Sequence, residues 1–219
     1  SREMNHYIFD LIAQGEHQQQ DFKFEISDAR KIAKTLSAFS NTDGGRLLVG
    51  VKDNGRIAGI RSEEEIYMID AAAKLYCHPT VECKMITHQV EGRTVLEVII
   101  QPGMHKPYYA TDYNNKKWAY IRIKDENILA TPVHLKIWQQ EAKPQGTFVH
   151  YTQQEQILMD YLSQNQSISL NKYCKIARIS RAKAETTLAK FIRFQLIEPI
   201  FENHHFFYRL TSCQATETT

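Results

Sequence analysis

Residues 37–60 read SAFSNTDGGRLLVGVKDNGRIAGI, the end of a helix, a glycine turn, a short apolar strand and a second turn in direct succession. Upstream, Ala29, Ile32, Ala33, Leu36 and Phe39 recur at three- and four-residue intervals while Arg30, Lys31 and Lys34 face elsewhere. That spacing predicts an amphipathic helix, capped by Ser27 or Asp28. Gly44-Gly45 ends it, because glycine adopts positive φ without a Cβ clash and lets the chain reverse tightly. Leu47, Leu48 and Val49 then supply a buried strand, and Asp53-Asn54-Gly55 is a tight turn into Ile57-Ala58-Gly59-Ile60, which predicts a β-hairpin.

Working outward, Asp21-Phe22-Lys23-Phe24-Glu25 alternates phenylalanine with charge. As a strand it sends Phe22 and Phe24 to a core face and Asp21, Lys23 and Glu25 to a wet one. Residues 4–14 place Tyr7, Ile8, Leu11 and Ile12 at helical spacing, and Glu63-Glu64-Glu65 opens another helix at its positive end. Residues 81–90 with 94–100, and 107–111 with 117–123, read as strand pairs, the second turning through Asp112-Tyr113-Asn114-Asn115. A helix over 133–140 leads into Lys143-Pro144-Gln145-Gly146, the best linker in the chain. The order βαββαββββα is that of a mixed-sheet α/β (α+β) domain over residues 1–143, followed by a linker at 144–150.

From residue 151 the pattern becomes helical. Thr152 is the N-cap of a first helix, with Glu155 at the capping-box position and Ile157, Leu158, Tyr161 and Leu162 as its buried stripe. Residues 170–177 form a second helix. Ser180 caps a third, with Ala184, Leu188, Phe191 and Ile192 inward and Arg181, Lys183, Thr186, Thr187 and Lys190 outward. Two strands, 196–201 and 205–210, surround Glu202-Asn203-His204. Three helices and a hairpin resemble the winged-helix domains of bacterial regulators, in which the third helix is the recognition helix.

The 219 residues carry a formal charge of only +2, but its distribution is uneven. Residues 1–150 hold 19 basic and 19 acidic side chains, whereas residues 172–193 hold seven basic side chains against the single acid Glu185, a net of +6. Phosphate neutralisation by such a cluster supplies most non-specific affinity for nucleic acid. The four cysteines, Cys77, Cys83, Cys174 and Cys213, form neither zinc-type pairs nor a disulfide scaffold, which fits reduced thiols in the cytoplasm. No apolar run approaches bilayer length, so no membrane association is expected.

The acidic–aromatic–Lys strand at Asp21-Phe22-Lys23, the Ala-Phe-x-Asn-Thr-x-Gly-Gly turn and the Gly-Val-x-Asp-x-Gly hairpin together resemble the AlbA-like domain of Schlafen-type proteins and many bacterial regulators. Gly103, Lys106-Pro107-Tyr108 and Tyr120-Ile121-Arg122 extend the resemblance over roughly residues 10–140. It implies a fold and an association with nucleic acid. For Schlafen-type ribonucleases it also implies a carboxylate cluster, matched here by Glu16 and Asp21, with Asp53 standing one residue beyond the expected third acid, where Lys52 is found. Such acids would hold Mg²⁺ or Mn²⁺. Lys23, Lys34, Lys106 and Arg122 are alternative phosphate contacts, with Tyr108, Tyr109 and Tyr120 as stacking partners. Asn41, Gly44 and Gly45 make a structural turn or a phosphate contact, and the absence of a following Gly-Lys-Ser/Thr excludes a P-loop ATPase.

The expectation is a nucleic-acid-binding protein without a cofactor, most simply a homodimeric transcriptional regulator that grips double-stranded DNA through Lys172, Arg178, Arg181, Lys183 and Lys190. The alternatives are a metal-dependent ribonuclease acting through Glu16 and Asp21, and a protein-docking adaptor that binds no nucleic acid.

Overall fold

The computed structural model describes residues 2–143 and 151–212. The linker expected at 144–150 and Cys213 lie outside them. The chain divides into two compact units, Ser1–Ala130 and Thr131–Thr219.

The first unit begins with α1 (Arg2–Ala13), β1 (Gln20–Lys23), α2 (Ala29–Asn41), β2 (Gly45–Val49) and α3 (Glu64–Leu75). It continues through β3 (Cys77–His78), β4 (Cys83–Val90), β5 (Arg93–Ile100), β6 (Tyr109–Thr111), β7 (Lys117–Ile123) and β8 (Glu126–Leu129). One four-stranded sheet has the order β1-β2-β5-β4, with β1 and β2 parallel and the other pairs antiparallel. The other, β3-β6-β7-β8, is antiparallel throughout.

Alternation along β2 sorts its side chains between two cores. Leu47 and Val49 pack with α2 and α3 through Leu36, Phe39, Ile69 and Ala72, whereas Leu48 joins Ile8 and Leu11 of α1 with Phe22. The helix α2 takes Asp28 as its cap, the Asp28 side chain accepting from the Arg30 N–H at 2.9 Å. The glycine turn is structural. Gly44 has φ +70°, where a Cβ would sit 2.6 Å from the Ile100 carbonyl, and a Cβ at Gly45 would strike the Phe39 ring.

Two local expectations fail for physical reasons. The face of β1 carrying Asp21 is buried, with Asp21 5% exposed, because the buried Arg122 guanidinium lies against it; Phe24 lies beyond the strand and is 40% exposed, under the Lys52 and Arg61 cations. The hairpin after β2 shrinks to one bridge, Val51 to Ile57, because β2 pairs with β1 and β5 instead.

The second unit comprises α4 (Pro132–Glu141), α5 (Gln153–Gln164), α6 (Leu170–Ala177), α7 (Arg181–Arg193), β9 (Ile197–Glu202) and β10 (His205–Leu210). The helix α4, read from sequence as the end of the first domain, belongs here: Val133 and Ile137 enter the core formed by Leu158, Tyr173, Leu188 and Phe191. The chain thus divides at residue 130, not 143, because α4 finds its apolar partner on α7. Caps fix the helix starts. Thr131 with His134 and Thr152 with Glu155 are capping boxes, and Ser169 and Ser180 accept the Lys172 and Lys183 amides. Each such cap contributes about 1 kcal/mol. The strands β9 and β10 form an antiparallel ribbon, extended by a bridge between Ile168 and Tyr208. No helix among the described residues is long and apolar enough to cross a membrane.

Candidate carboxylate site and nucleic-acid interface

In the first unit, Glu16 sits in the loop before β1, half-buried, and accepts the Phe22 amide at 3.2 Å. Burial, a hydrogen bond shared with Asp21 and the negative charges of Asp21 and Asp53 push its pKa up to about 7, opposed by the Phe22 N–H. Of the other two acids picked out in the sequence, Asp21 acts on Glu16 by a hydrogen bond and its charge, and Asp53 acts by its charge alone and least. Asp53 comes within range because β2 ends at Val49, so strand alternation no longer governs where residue 53 points.

Their surroundings do not suit a cation. One Asp21 oxygen lies 3.4 Å from the Lys23 ammonium and the other 3.7 Å from the Arg122 guanidinium. Among the described residues, no three His, Cys, Asp or Glu side chains are placed to hold a metal ion. As arranged, the site does not fit the Mg²⁺ or Mn²⁺ ion that the ribonuclease resemblance implies.

Several expected phosphate contacts have structural employment instead. Arg122 is 2% exposed, donates to the His17 and Gln20 carbonyls and the Asn127 side chain, and stacks over Phe39. A guanidinium so enclosed is out of reach of a nucleic acid. Asn41 is also internal: its amide donates to the Tyr108 and Tyr120 carbonyls and its oxygen accepts the Tyr108 N–H. Tyr108 is buried and out of reach of a base. Lys106 donates to the Thr42 carbonyl at 3.4 Å, tying the glycine turn, and Lys23 serves Asp21. Lys34 is exposed, its ammonium over the Tyr120 ring.

A second buried cluster escaped the sequence reading. Glu97 of β5, 1% exposed, accepts from the Tyr7 hydroxyl at 2.5 Å and the Arg46 Nε at 2.6 Å, and pairs with His88 Nε2 at 2.9 Å. Burial acts to raise the Glu97 pKa, but these three partners outweigh it and hold the carboxyl below its ordinary value. The cluster clamps α1 onto the sheet. Its members come from four elements, so no local spacing announces it.

In the second unit, Lys172, Lys175, Arg178, Arg181 and Lys183 are all exposed on α6, the following turn and the start of α7. Arg178 closes α6 in the left-handed conformation, and Arg181 is steadied by the Asn171 side-chain oxygen at 2.7 Å. Lys190 differs: its ammonium reaches the buried carboxylate of Glu155 at 3.3 Å. Thr187, expected outward, is also buried. Glu185, the one acid of the stretch, is 8% exposed, so the surface presents cations alone.

The family profile described as Schlafen, AlbA_2 matches residues 16–131, more than half of the sequence. The chain belongs to the Schlafen AlbA_2 family. That family associates it with a nucleic-acid-related function. No curated protein matches this Schlafen AlbA_2 chain. Among solved structures, it is similar to the DIP2311 protein of Corynebacterium diphtheriae, with 18% identity over 65% of this chain and a TM-score of 0.46. The match spans only 34% of that protein. It is similar to the N-terminal domain of a RecG-related protein from Nitrosomonas europaea, with 23% identity, a TM-score of 0.40, and 68% of this chain against 98% of that one covered. ZitR of Lactococcus lactis matches 35% of this chain and 53% of its own length, at 18% identity and a TM-score of 0.29.

Proposed function

We propose that the second unit is a winged helix and that the protein is a cytoplasmic, homodimeric transcriptional regulator that binds double-stranded DNA, with α7 as its recognition helix. The observation that carries this reading is the set of five exposed cations, Lys172, Lys175, Arg178, Arg181 and Lys183, with no exposed acid between residues 170 and 193. In helix-turn-helix docking the N-terminal end of the recognition helix enters the major groove, the position held by Arg181 and Lys183, while flanking cations meet phosphates. The turn between β9 and β10, with Asn203 and His204 at positive φ, has the place of a wing. A homodimer would present two such helices to two half-sites.

Fluorescence anisotropy of the full chain on mixed-sequence duplexes at several salt concentrations tests the reading. Five phosphate-neutralising cations correspond to a slope of log affinity against log salt of roughly −4 to −5. Tight binding that is indifferent to salt, or no binding at low salt, rejects it, and the second outcome favours the adaptor alternative. Sedimentation with and without duplex reports the dimer.

A further inference from the structure

The turn between β6 and β7 carries more exposed aromatic surface than a structural turn needs. Tyr113, the neighbour of Asp112, is 63% exposed, and Trp118, which hydrogen-bonds Asp112 across the turn, is 40% exposed. Neither ring is loose. Asp112 accepts the backbone N–H groups of Asn114 and Lys116 with one carboxylate oxygen and the Trp118 indole N–H at 2.9 Å with the other. Arg30, from the first turn of α2, donates to the Asp112 carbonyl at 2.5 Å and lies between the Tyr76 and Tyr113 rings, 4.8 and 5.6 Å from their centroids. Two residues further along β7, on the side of the strand that bears Trp118, Tyr120 sits beneath the Lys34 ammonium. Lys116 and Lys117 are exposed in the same turn, and the one acid of residues 109–118, Asp112, already serves three donors.

Ordered rings facing water, interleaved with cations and short of anions, suit one kind of occupant. A base has a π-face whatever its sequence, and the phosphates joining successive bases seek ammonium and guanidinium groups. A duplex keeps its bases stacked on each other, so only an unpaired strand can place them on Tyr113 and Trp118. We propose that the Asp112 turn is a stacking platform for single-stranded nucleic acid, with Tyr113 and Trp118 receiving two bases and Arg30, Lys116 and Lys117 supplying the positive field. The platform rests on the first unit alone and is independent of duplex binding by the second.

The chain has two tryptophans, and Trp138 is 7% exposed, so quenching by an added strand reports on Trp118. Fluorescein-labelled oligo(dT) and oligo(U) of about 12 nucleotides, a length within the usual site size, are titrated into the full chain. The expected result is quenched tryptophan emission and binding of at least one oligomer, with oligo(U) against oligo(dT) deciding between RNA and DNA. Tyr113→Ala and Trp118→Leu should each weaken binding by roughly 5- to 150-fold with unchanged melting, which is the effect of losing one stacked base. Arg181→Ala with Lys183→Ala should leave single-strand affinity intact. Absence of single-strand binding, undiminished affinity in the Tyr113→Ala/Trp118→Leu double variant, or loss through Arg181 and Lys183 instead would each overturn the platform. The last of these would leave the duplex reading standing.

Discussion

Asp21 is clasped by its neighbours: Arg122 of β7 lies 3.7 Å from one carboxylate oxygen and Lys23 lies 3.4 Å from the other. A divalent cation recruited to this carboxylate would have to displace both or share it with two positive charges. We expect no robust Mn²⁺-dependent cleavage of transfer RNA by the intact protein. Asp21→Asn should instead act on stability, since it leaves the buried Arg122 guanidinium without its counter-charge, at a cost of roughly 3 kcal/mol. Urea denaturation measures that loss. Cleavage that disappears in both Glu16→Ala and Asp21→Ala would show that the carboxylates work as a metal site despite their partners.

Glu16 gives the first unit an unusual pH response. Its pKa, raised to about 7 by burial and then by Asp21 and Asp53, lies above the ordinary 4.5, so the folded state holds a proton that the unfolded chain releases. The stabilisation is complete below pH 4.5 and fades as pH rises through 7. Glu16→Gln keeps the neutral form at every pH. It should stabilise the protein at pH 8 by about 1 kcal/mol, a figure discounted for solvent screening, and change little at pH 4. Equal effects at both values would separate Glu16 from the acid pair.

The helices, the caps at Asp28, Thr152 and Ser180, and the family motif were legible because they are local, whereas the Thr131 and Ser169 caps were not read. Thr152 three residues before Glu155 is a capping box, and Ser180 at the head of an apolar three- and four-residue pattern is a simple N-cap, both readable without tertiary context. The glycine turn is similarly self-contained, since Gly44 needs positive φ and Gly45 must clear Phe39. Side-chain employment was not legible. The sequence offers Arg122 and Lys190 as two more surface cations, and only the fold reveals that one is sealed against Phe39 and the other tied to Glu155. The placement of α4 with the second unit was missed for a related reason, since it depends on α7, a long-range partner that periodicity cannot name. The strand β8 pairs with its sequence neighbour β7 across a tight turn, but its four residues are too few to show a period.

His134 sets an acid limit on the second unit. Its Nδ1 accepts from the Thr131 amide at 3.1 Å within the α4 capping box, and burial lowers its pKa to about 4 from 6.5. The folded unit therefore refuses a proton that the unfolded chain accepts below pH 6.5. Stability should be constant above that value and fall progressively as pH drops towards 4, by up to about 3 kcal/mol. Thermal melts between pH 7.5 and 4.5 check the slope, with His134→Gln as the control in which it should flatten. A slope that persists unchanged in the variant assigns the acid sensitivity to another group.

Lys183 and Lys190 lie on one helix and test the proposed DNA surface against each other. Lys183 is exposed in the first turn of α7, where its backbone amide donates to the Ser180 hydroxyl and its carbonyl accepts from the Thr187 hydroxyl. Lys190 sits two turns later with its ammonium on the buried Glu155 carboxylate. If the N-terminal end of α7 faces DNA, Lys183→Met removes one phosphate contact. Affinity should then fall severalfold on all sequences and the salt slope by about one, with no change in melting. Lys190→Met should do the opposite. Affinity stays within about twofold while stability drops by roughly 1–2 kcal/mol, because Glu155 is left buried without its counter-charge and the pair is only partly shielded from water. Anisotropy titrations and urea melts of the two variants side by side resolve the outcomes. Equal losses of affinity would mean that DNA contacts the whole length of α7, and an unchanged affinity in Lys183→Met would remove the first turn from the interface.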